Sequence, residues 1–165
     1  MIIRPTILED IDNIMGWVND PIVLEKFANF KPVSKEDELK FLTDLLKSSN
    51  DKTFTIEENG EYLGQVSINK IYWAAMNGRL AIAIHPNARG RGVATKAVQL
   101  LIEKGFNEMK LHKLWMILKT DNLKGIALYE SLGFKVEAIL KDEYVNPVTG
   151  EYIDMVRLYK INPND

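Results

Sequence analysis

The chain has 165 residues and no cysteine. That excludes disulfides, thiolate nucleophiles and cysteine-held zinc, and it fits a reducing compartment such as the cytoplasm. Only two histidines, His85 and His112, are present, so a histidine-built site is disfavoured and no metal is expected. An excess of charge of one sign is also missing: 21 Lys and Arg stand against 23 Asp and Glu, a formal net charge of −2. Without a global basic field, nucleic acid is not an expected partner, and any anion recognition must be local. No apolar run approaches the length of a membrane span, and the opening Met1-Ile2-Ile3-Arg4-Pro5 lacks the regions of a secretion signal. No membrane partner is expected, and cytoplasmic localisation is. No repeat, low-complexity segment or Gly/Ser/Pro linker divides the sequence, so residues 1–165 are expected to form a single domain with one core.

What the sequence does contain is a local anion signal in its middle. The run Leu80 to Ile84 stops at His85-Pro86, turns through Arg89-Gly90-Arg91-Gly92 and enters an amphipathic stretch opening Val93-Ala94-Thr95. Glycine permits positive φ and leaves no Cβ in the way, so backbone N–H groups at a helix start can approach a phosphate, with Arg89 and Arg91 as extra donors. A P-loop would need Gly-Lys-Ser/Thr closing the turn, and a dinucleotide fingerprint would need a small residue at 95. Neither fits.

Around this stretch the periodicities alternate. Ile2 to Arg4 reads as a short strand. Apolar residues at 8, 11, 14, 15 and 18 mark a helix, Asp20-Pro21 caps a short helical piece to about Ala28, and Ser34-Lys35-Glu36-Asp37 opens a helix to about Ser48. Thr53 to Glu57 and Tyr62 to Ile71 read as strands joined at Asn59-Gly60, and Asn77-Gly78 reads as a second turn before Leu80 to Ile84. The helix from Val93 carries an apolar stripe through Phe106 and is followed by a strand, Leu114 to Leu118. Thr120-Asp121-Asn122 caps a helix from Leu123 to Leu132 that Gly133 ends. Phe134 to Leu140 and Tyr152 to Tyr159 are the last strands, with Asn146-Pro147 and Thr149-Gly150 in the loop between them. The order β α α β β β α β α β β predicts an α+β fold with a mixed, mostly antiparallel sheet of about seven strands and about four helices on both faces. Strands 80–84 and 114–118, joined through a helix, form its parallel pair, and divergence there could admit an elongated ligand.

With these elements in place, the chain resembles the GNAT superfamily of acyl-CoA-dependent N-acetyltransferases along nearly its whole length. Arg89-Gly90-Arg91-Gly92-Val93-Ala94 matches the family's Arg/Gln-x-x-Gly-x-Gly/Ala signature. Asn122 and Leu128-Tyr129-Glu130-Ser131-Leu132-Gly133-Phe134 match its second one. The resemblance implies that backbone N–H groups from Gly90, Arg91, Gly92, Val93, Ala94 and Thr95 hold the CoA pyrophosphate beside Arg89. It also implies that Ile82, Ala83 and Ile84 pair with the pantetheine arm, that Asn122 hydrogen-bonds that arm and that Tyr129 is the general acid. Acetyl-CoA is then the cosubstrate, and transfer to a primary amine is direct.

Many relatives place a glutamate on the strand before the glycine turn to take the amine's proton; here that position is Arg79. His85 is a substitute, because an imidazole titrates in the useful range. Glu143, Glu151 and Asp154 are other carboxylates within reach of this role or of salt bridges. The stretches quoted, with Leu140-Lys141-Asp142-Glu143-Tyr144, resemble most the branch of spermidine and ribosomal-protein N-terminal acetyltransferases. The acceptors this implies are a polyamine, an amino sugar, an aminoglycoside or a protein N-terminus. Acidic residues of the early helices, Glu9 to Asp20 and Glu25 to Glu38, suit a polycation, whereas Arg79 opposes one. A CoA-binding module of weak activity, used for sensing or assembly, is the alternative. The apolar stretch Tyr72-Trp73-Ala74-Ala75-Met76 could be buried in a homodimer.

Overall fold

Period-two apolar patterning gives seven strands among the described residues, which are 1–26, 31–146 and 148–165 of a computed structural model. They are β1 (Ile2–Pro5), β2 (Lys52–Glu58), β3 (Glu61–Tyr72), β4 (Asn77–Ile84), β5 (Lys113–Lys119), β6 (Lys135–Val145) and β7 (Tyr152–Ile161), in the order β1-β2-β3-β4-β5-β7-β6. Every neighbouring pair is antiparallel except β4 with β5. Five helices cover both faces: α1 (Ile11–Val18), α2 (Pro21–Lys26), α3 (Lys35–Lys47), α4 (Val93–Glu103) and α5 (Leu123–Ser131). The expected extension of the second helix to Ala28 and the Pro147 half of the Asn146-Pro147 pair lie outside the described residues.

Strand alternation sorts β4 between two cores. Leu80, Ile82 and Ile84 join Ile68, Leu114, Leu158 and the α4 residues Ala97, Val98 and Leu101 on one face. Ala83 faces the other way, into a smaller cluster with Ile14 and Trp17 of α1 and Leu42 of α3. Leu101 and Leu114 are fully buried, and truncating either to alanine should cost ~2–5 kcal/mol.

The parallel pair is present, and its pairing lies at the start of β4, before residues 80–84. β4 meets β5 only at Asn77↔Lys113, Gly78↔Leu114 and Arg79↔Trp115. Beyond that, β4 stays with β3 as far as Gly64↔Ile84, and β5 stays with β7 as far as Lys119↔Met155. Each strand follows its antiparallel partner, and the sheet opens into a cleft between 80–84 and 116–119.

Asn77-Gly78 is a second correction, because these residues begin β4 instead of turning the chain. The turn is a short 3-10 segment, Trp73–Ala75, closed by Met76 at φ 49°. Tertiary contacts took precedence over local turn propensity. A Cβ on Gly78 would stand 2.5 Å from Ile68 Cγ2, and Trp115 Nε1 donates to Asn77 Oδ1 at 3.1 Å. Both residues thus serve the narrow end of the cleft. The long helix also differs at its end, where Lys104–Glu108 widens into a π-turn as Gly105 packs against Ile68 and Leu114.

Candidate active site

At the wide end of the cleft, Gly90 and Gly92 hold φ of 75° and 73°, the left-handed conformation the turn needs. A Cβ at either would meet nothing within 4 Å, so backbone conformation and not crowding selects glycine here. Gly92 is the residue before α4. Val93, 3% exposed, anchors the helix start in the core, so the unpaired N–H groups of the first turn, through Ala94 and Thr95, stay at the surface.

Both arginines of the turn are already engaged. Arg89 donates from Nη2 and Nη1 to Asp20 Oδ1 and Oδ2 at 3.1 and 3.4 Å, and Arg91 donates to both Glu61 oxygens at 2.9 and 3.2 Å. These hydrogen bonds hold the Asp20 and Glu61 carboxyls below the usual carboxylate range. An incoming phosphate must share or displace these two carboxylates. The sequence read Asp20 as a helix cap and as one of the acids suited to a polycation, and no local signal links it to a residue 69 positions away.

The cleft wall on β4 is backbone. His85 N donates to Leu63 O on the β3 side at 2.9 Å, and amide directions alternate along a strand. The N–H and C=O groups of Ile84 and Ile82 therefore point into the cleft, while those of Ala83 point to β3. Two of the three strand residues expected to pair with an extended ligand are thus turned towards it.

Opposite stands α5. Asn122 Oδ1 accepts from Gly125 N at 3.1 Å and caps the helix, which leaves its side-chain NH2 for a ligand. Tyr129 is 2% exposed, packs edge-on against Phe134 with ring centroids 5.3 Å apart, and has a buried hydroxyl with no hydrogen-bond partner. Burial pushes this phenol well above its usual range, so it stays protonated. A buried hydroxyl left unpaired costs ~1–3 kcal/mol, and such a group in a native fold calls for an explanation.

His85 serves the turn. Its Nδ1 accepts from Asn87 N at 3.3 Å, and its Nε2 faces α1, 2.8 Å from where a Gly16 Cβ would be. Its accepting nitrogen is thus already used. Arg79 lies at the narrow end, opposite Asn69 and Trp115. Four of the eight early acids are ion-paired: Asp10 with Arg4, Asp12 with Lys35, Asp20 with Arg89, and Glu25 with Lys119 at the far end of β5. Asp154 holds Lys141 at 2.5 Å and accepts from Asp142 N at 2.9 Å. Glu38 differs, since burial raises its carboxyl. Two surface hollows of ≈ 400 and ≈ 450 Å³ lie elsewhere, one beside Phe106 and Lys160, the other beside Leu8 and Phe54. Neither includes Tyr129, Asn122 or the glycine turn, so strand separation defines the site.

A parallel pair that separates after Arg79, beside a glycine turn at a helix start, leaves a groove suited to an elongated ligand. Residues 1–135 match the family model described as an acetyltransferase (GNAT) domain. The chain belongs to the GNAT acetyltransferase family. It is an acyltransferase, and acetyl-CoA is its cosubstrate. Among curated relatives, it is 30% identical over 157 residues to spermidine N(1)-acetyltransferase of Escherichia coli (strain K12), spanning 94% of this chain and 83% of that one. It is 28% identical over 131 residues to the Vibrio cholerae protein of the same name, spanning 78% and 75%. The crystal structure of spermidine N-acetyltransferase from Vibrio cholerae in complex with CoA and spermine shares the fold at TM-score 0.90 and 22% identity, over 97% of this chain and 94% of that one.

Proposed function

We propose that this GNAT acetyltransferase moves the acetyl group of acetyl-CoA directly to the primary amine of a small molecule. The observations that carry the mechanism are the buried hydroxyl of Tyr129, which has no hydrogen-bond partner, and the edge of β4 left free of β5 beyond Arg79. The pyrophosphate fits the Gly90–Thr95 backbone, the pantetheine arm the amides of Ile82 and Ile84, and its own amide the side-chain NH2 of Asn122. The amine nitrogen attacks the thioester carbon, the C–N bond forms, and a cleft-facing N–H of β4 receives the charge on the carbonyl oxygen. The C–S bond then breaks and the sulfur takes the Tyr129 proton. Because burial holds that phenol so firmly protonated, it acts first as a hydrogen-bond donor to the departing sulfur. The amine must lose a proton in turn. With His85 Nδ1 occupied, water in the open cleft is the route this reading favours, and alignment in the cleft supplies much of the rate.

The relatives' names make spermidine the first acceptor to try, followed by amino sugars, aminoglycosides and peptides with free N-termini. Homodimer formation through Tyr72 and Trp73, 62% and 40% exposed, belongs to the same reading. So does cytoplasmic localisation; among the described residues no helix is long and apolar enough to cross a membrane. One observation favours the alternative of a weakly active CoA-binding module: β4 carries no carboxylate. Amine-dependent release of CoA thiol, measured with wild type and Tyr129→Phe, decides between them. The transferase reading expects turnover to fall about 10²–10⁴-fold with acetyl-CoA affinity kept. Equal turnover in both proteins would remove Tyr129 from the mechanism, and no amine-dependent release at all would leave the binding module.

A further inference from the structure

Arg79 is the one arginine of five that holds no carboxylate among the described residues; Arg4, Arg89, Arg91 and Arg157 each hold one. It is half-buried, and its Nε is buried without a hydrogen-bond partner. Asn69, directly across on β3, has the complementary fault. Its Nδ2 donates to Ser67 Oγ at 3.2 Å, but its Oδ1 is buried with no partner. An unsatisfied donor and an unsatisfied acceptor thus stand on opposed residues whose Cβ atoms are about 4.5–5.5 Å apart, and they do not bond each other.

Their place in the fold gives this a function. Arg79 is the last β4 residue paired to β5, at the point where the cleft begins. Alternation puts Arg79 and Ala81 on the face that Ala83 shares with α1, opposite the α4 and α5 face that Ile82, Ile84 and Tyr129 serve. With Ser67 and Ala81 beside them, Asn69 and Arg79 form a polar floor under small side chains on the side that the proposed transfer leaves to the acceptor. Nearby cations are compensated: Arg157 lies 4.0 Å over the Trp115 ring with Glu137 at 3.0 Å, and Lys113 also holds Glu137. Of the eight early acids that could draw a polycation, four, Asp10, Asp12, Asp20 and Glu25, are already paired.

We propose that Arg79 and Asn69 select an acceptor amine that also carries an anionic group, a phosphate or a carboxylate, which Arg79 binds. This rests on the acetyl-transfer reading and narrows its acceptor away from a simple polyamine. Guanidinium suits either oxyanion, and a neighbouring hydroxyl or amine of the same molecule can donate to Asn69 Oδ1.

The test compares pairs that differ only in the anion: glucosamine 6-phosphate against glucosamine, and a dipeptide against its C-terminal amide, with spermidine alongside. Rates of CoA release give kcat/KM, and titration into the CoA-saturated protein gives affinity independently of turnover. The anionic member of one pair is expected to be favoured about ten- to hundredfold, and which pair responds tells phosphate from carboxylate. Arg79→Gln should collapse that ratio towards one, with Arg79→Lys keeping part of it. The proposal is overturned if spermidine outperforms both anionic amines, or if Arg79→Gln depresses both members of a pair equally. The first result would leave acetyl transfer standing. If no acceptor gives release and no anionic amine binds, both readings fall.

Discussion

The two faces of the sheet at the cleft are built by different rules. Under α4 and α5 the packing is apolar and closed: Ile68, Leu101, Leu114 and Leu158 are fully buried, and the one uncompensated polar group is the Tyr129 hydroxyl. Under α1 to α3 a smaller apolar cluster around Ile14, Trp17 and Leu42 is bordered by polar and ionic groups, with Arg4 reaching Asp10 at 2.8 Å, Trp17 Nε1 donating to Tyr62 OH at 2.9 Å and Arg79 left uncompensated. In the proposed transfer, the closed face supplies the donor groove and the proton. In the proposal, the ionic face meets the acceptor, and its charges set the specificity.

Tyr129→Phe breaks this comparison most sharply. Besides the loss of turnover above, the unpaired hydroxyl disappears from an apolar core, so stability should rise by ~1–3 kcal/mol in denaturant titration. A fall in stability would mean that the hydroxyl has a structural partner. Arg4→Met tests the other face: Asp10, 3% exposed, would lose its bidentate cation and keep only Ile7 N and Thr55 Oγ1 as donors. A loss of about 3 kcal/mol is expected, the low end for a broken buried pair because those donors remain.

The same carboxylate predicts an acid limb. Burial works to raise the Asp10 carboxyl, but Arg4, Ile7 N–H and Thr55 together hold it below its usual value. As pH falls, the unfolded chain takes the proton first, so the stabilisation present above the ordinary aspartate range, about 3.9, is lost as pH passes down through the lower folded value. Stability measured from pH 6 to pH 2 should fall less steeply for Asp10→Asn than for wild type.

Gly78→Ala probes the narrow end where the faces meet. The added methyl meets Ile68 Cγ2 at 2.5 Å, and a loss of ~1–3 kcal/mol is expected from overpacking. The smallest effect belongs to Glu61→Gln. Its ion pair with Arg91 is exposed and screened by solvent, so stability in denaturant titration should barely change. With Arg91 released to phosphate, acetyl-CoA should bind about two- to fivefold more tightly, and an unchanged dissociation constant would show that Arg91 does not reach the donor.

Much of this fold was legible because it is written in local patterns. Ser34 caps α3 by accepting from Asp37 N at 3.1 Å, Asn59-Gly60 makes its hairpin with both residues at positive φ, and Gly133 ends α5 at φ 85°. Asn77-Gly78 carries the same turn letters and is a strand, because contacts with Ile68 and Trp115 prevail over the local signal. The site divides in the same way. Gly90, Gly92, Asn122 and Tyr129 stand in contiguous motifs, whereas the engagement of Arg89 by Asp20, of Lys119 by Glu25, and of His85 Nδ1 by its own turn depends on where the chain returns.

The sequence by itself determined the element order and the glycine turn at a helix start, since each rests on residues within a few positions of one another, and its resemblance to the acetyltransferase family implied acetyl transfer. Only the tertiary structure decided where β4 leaves β5, which charges are neutralised across the cleft, and that Arg79 is not. Ion pairing and strand register are set by distances between residues far apart in the chain, and spacing along the sequence does not encode those distances.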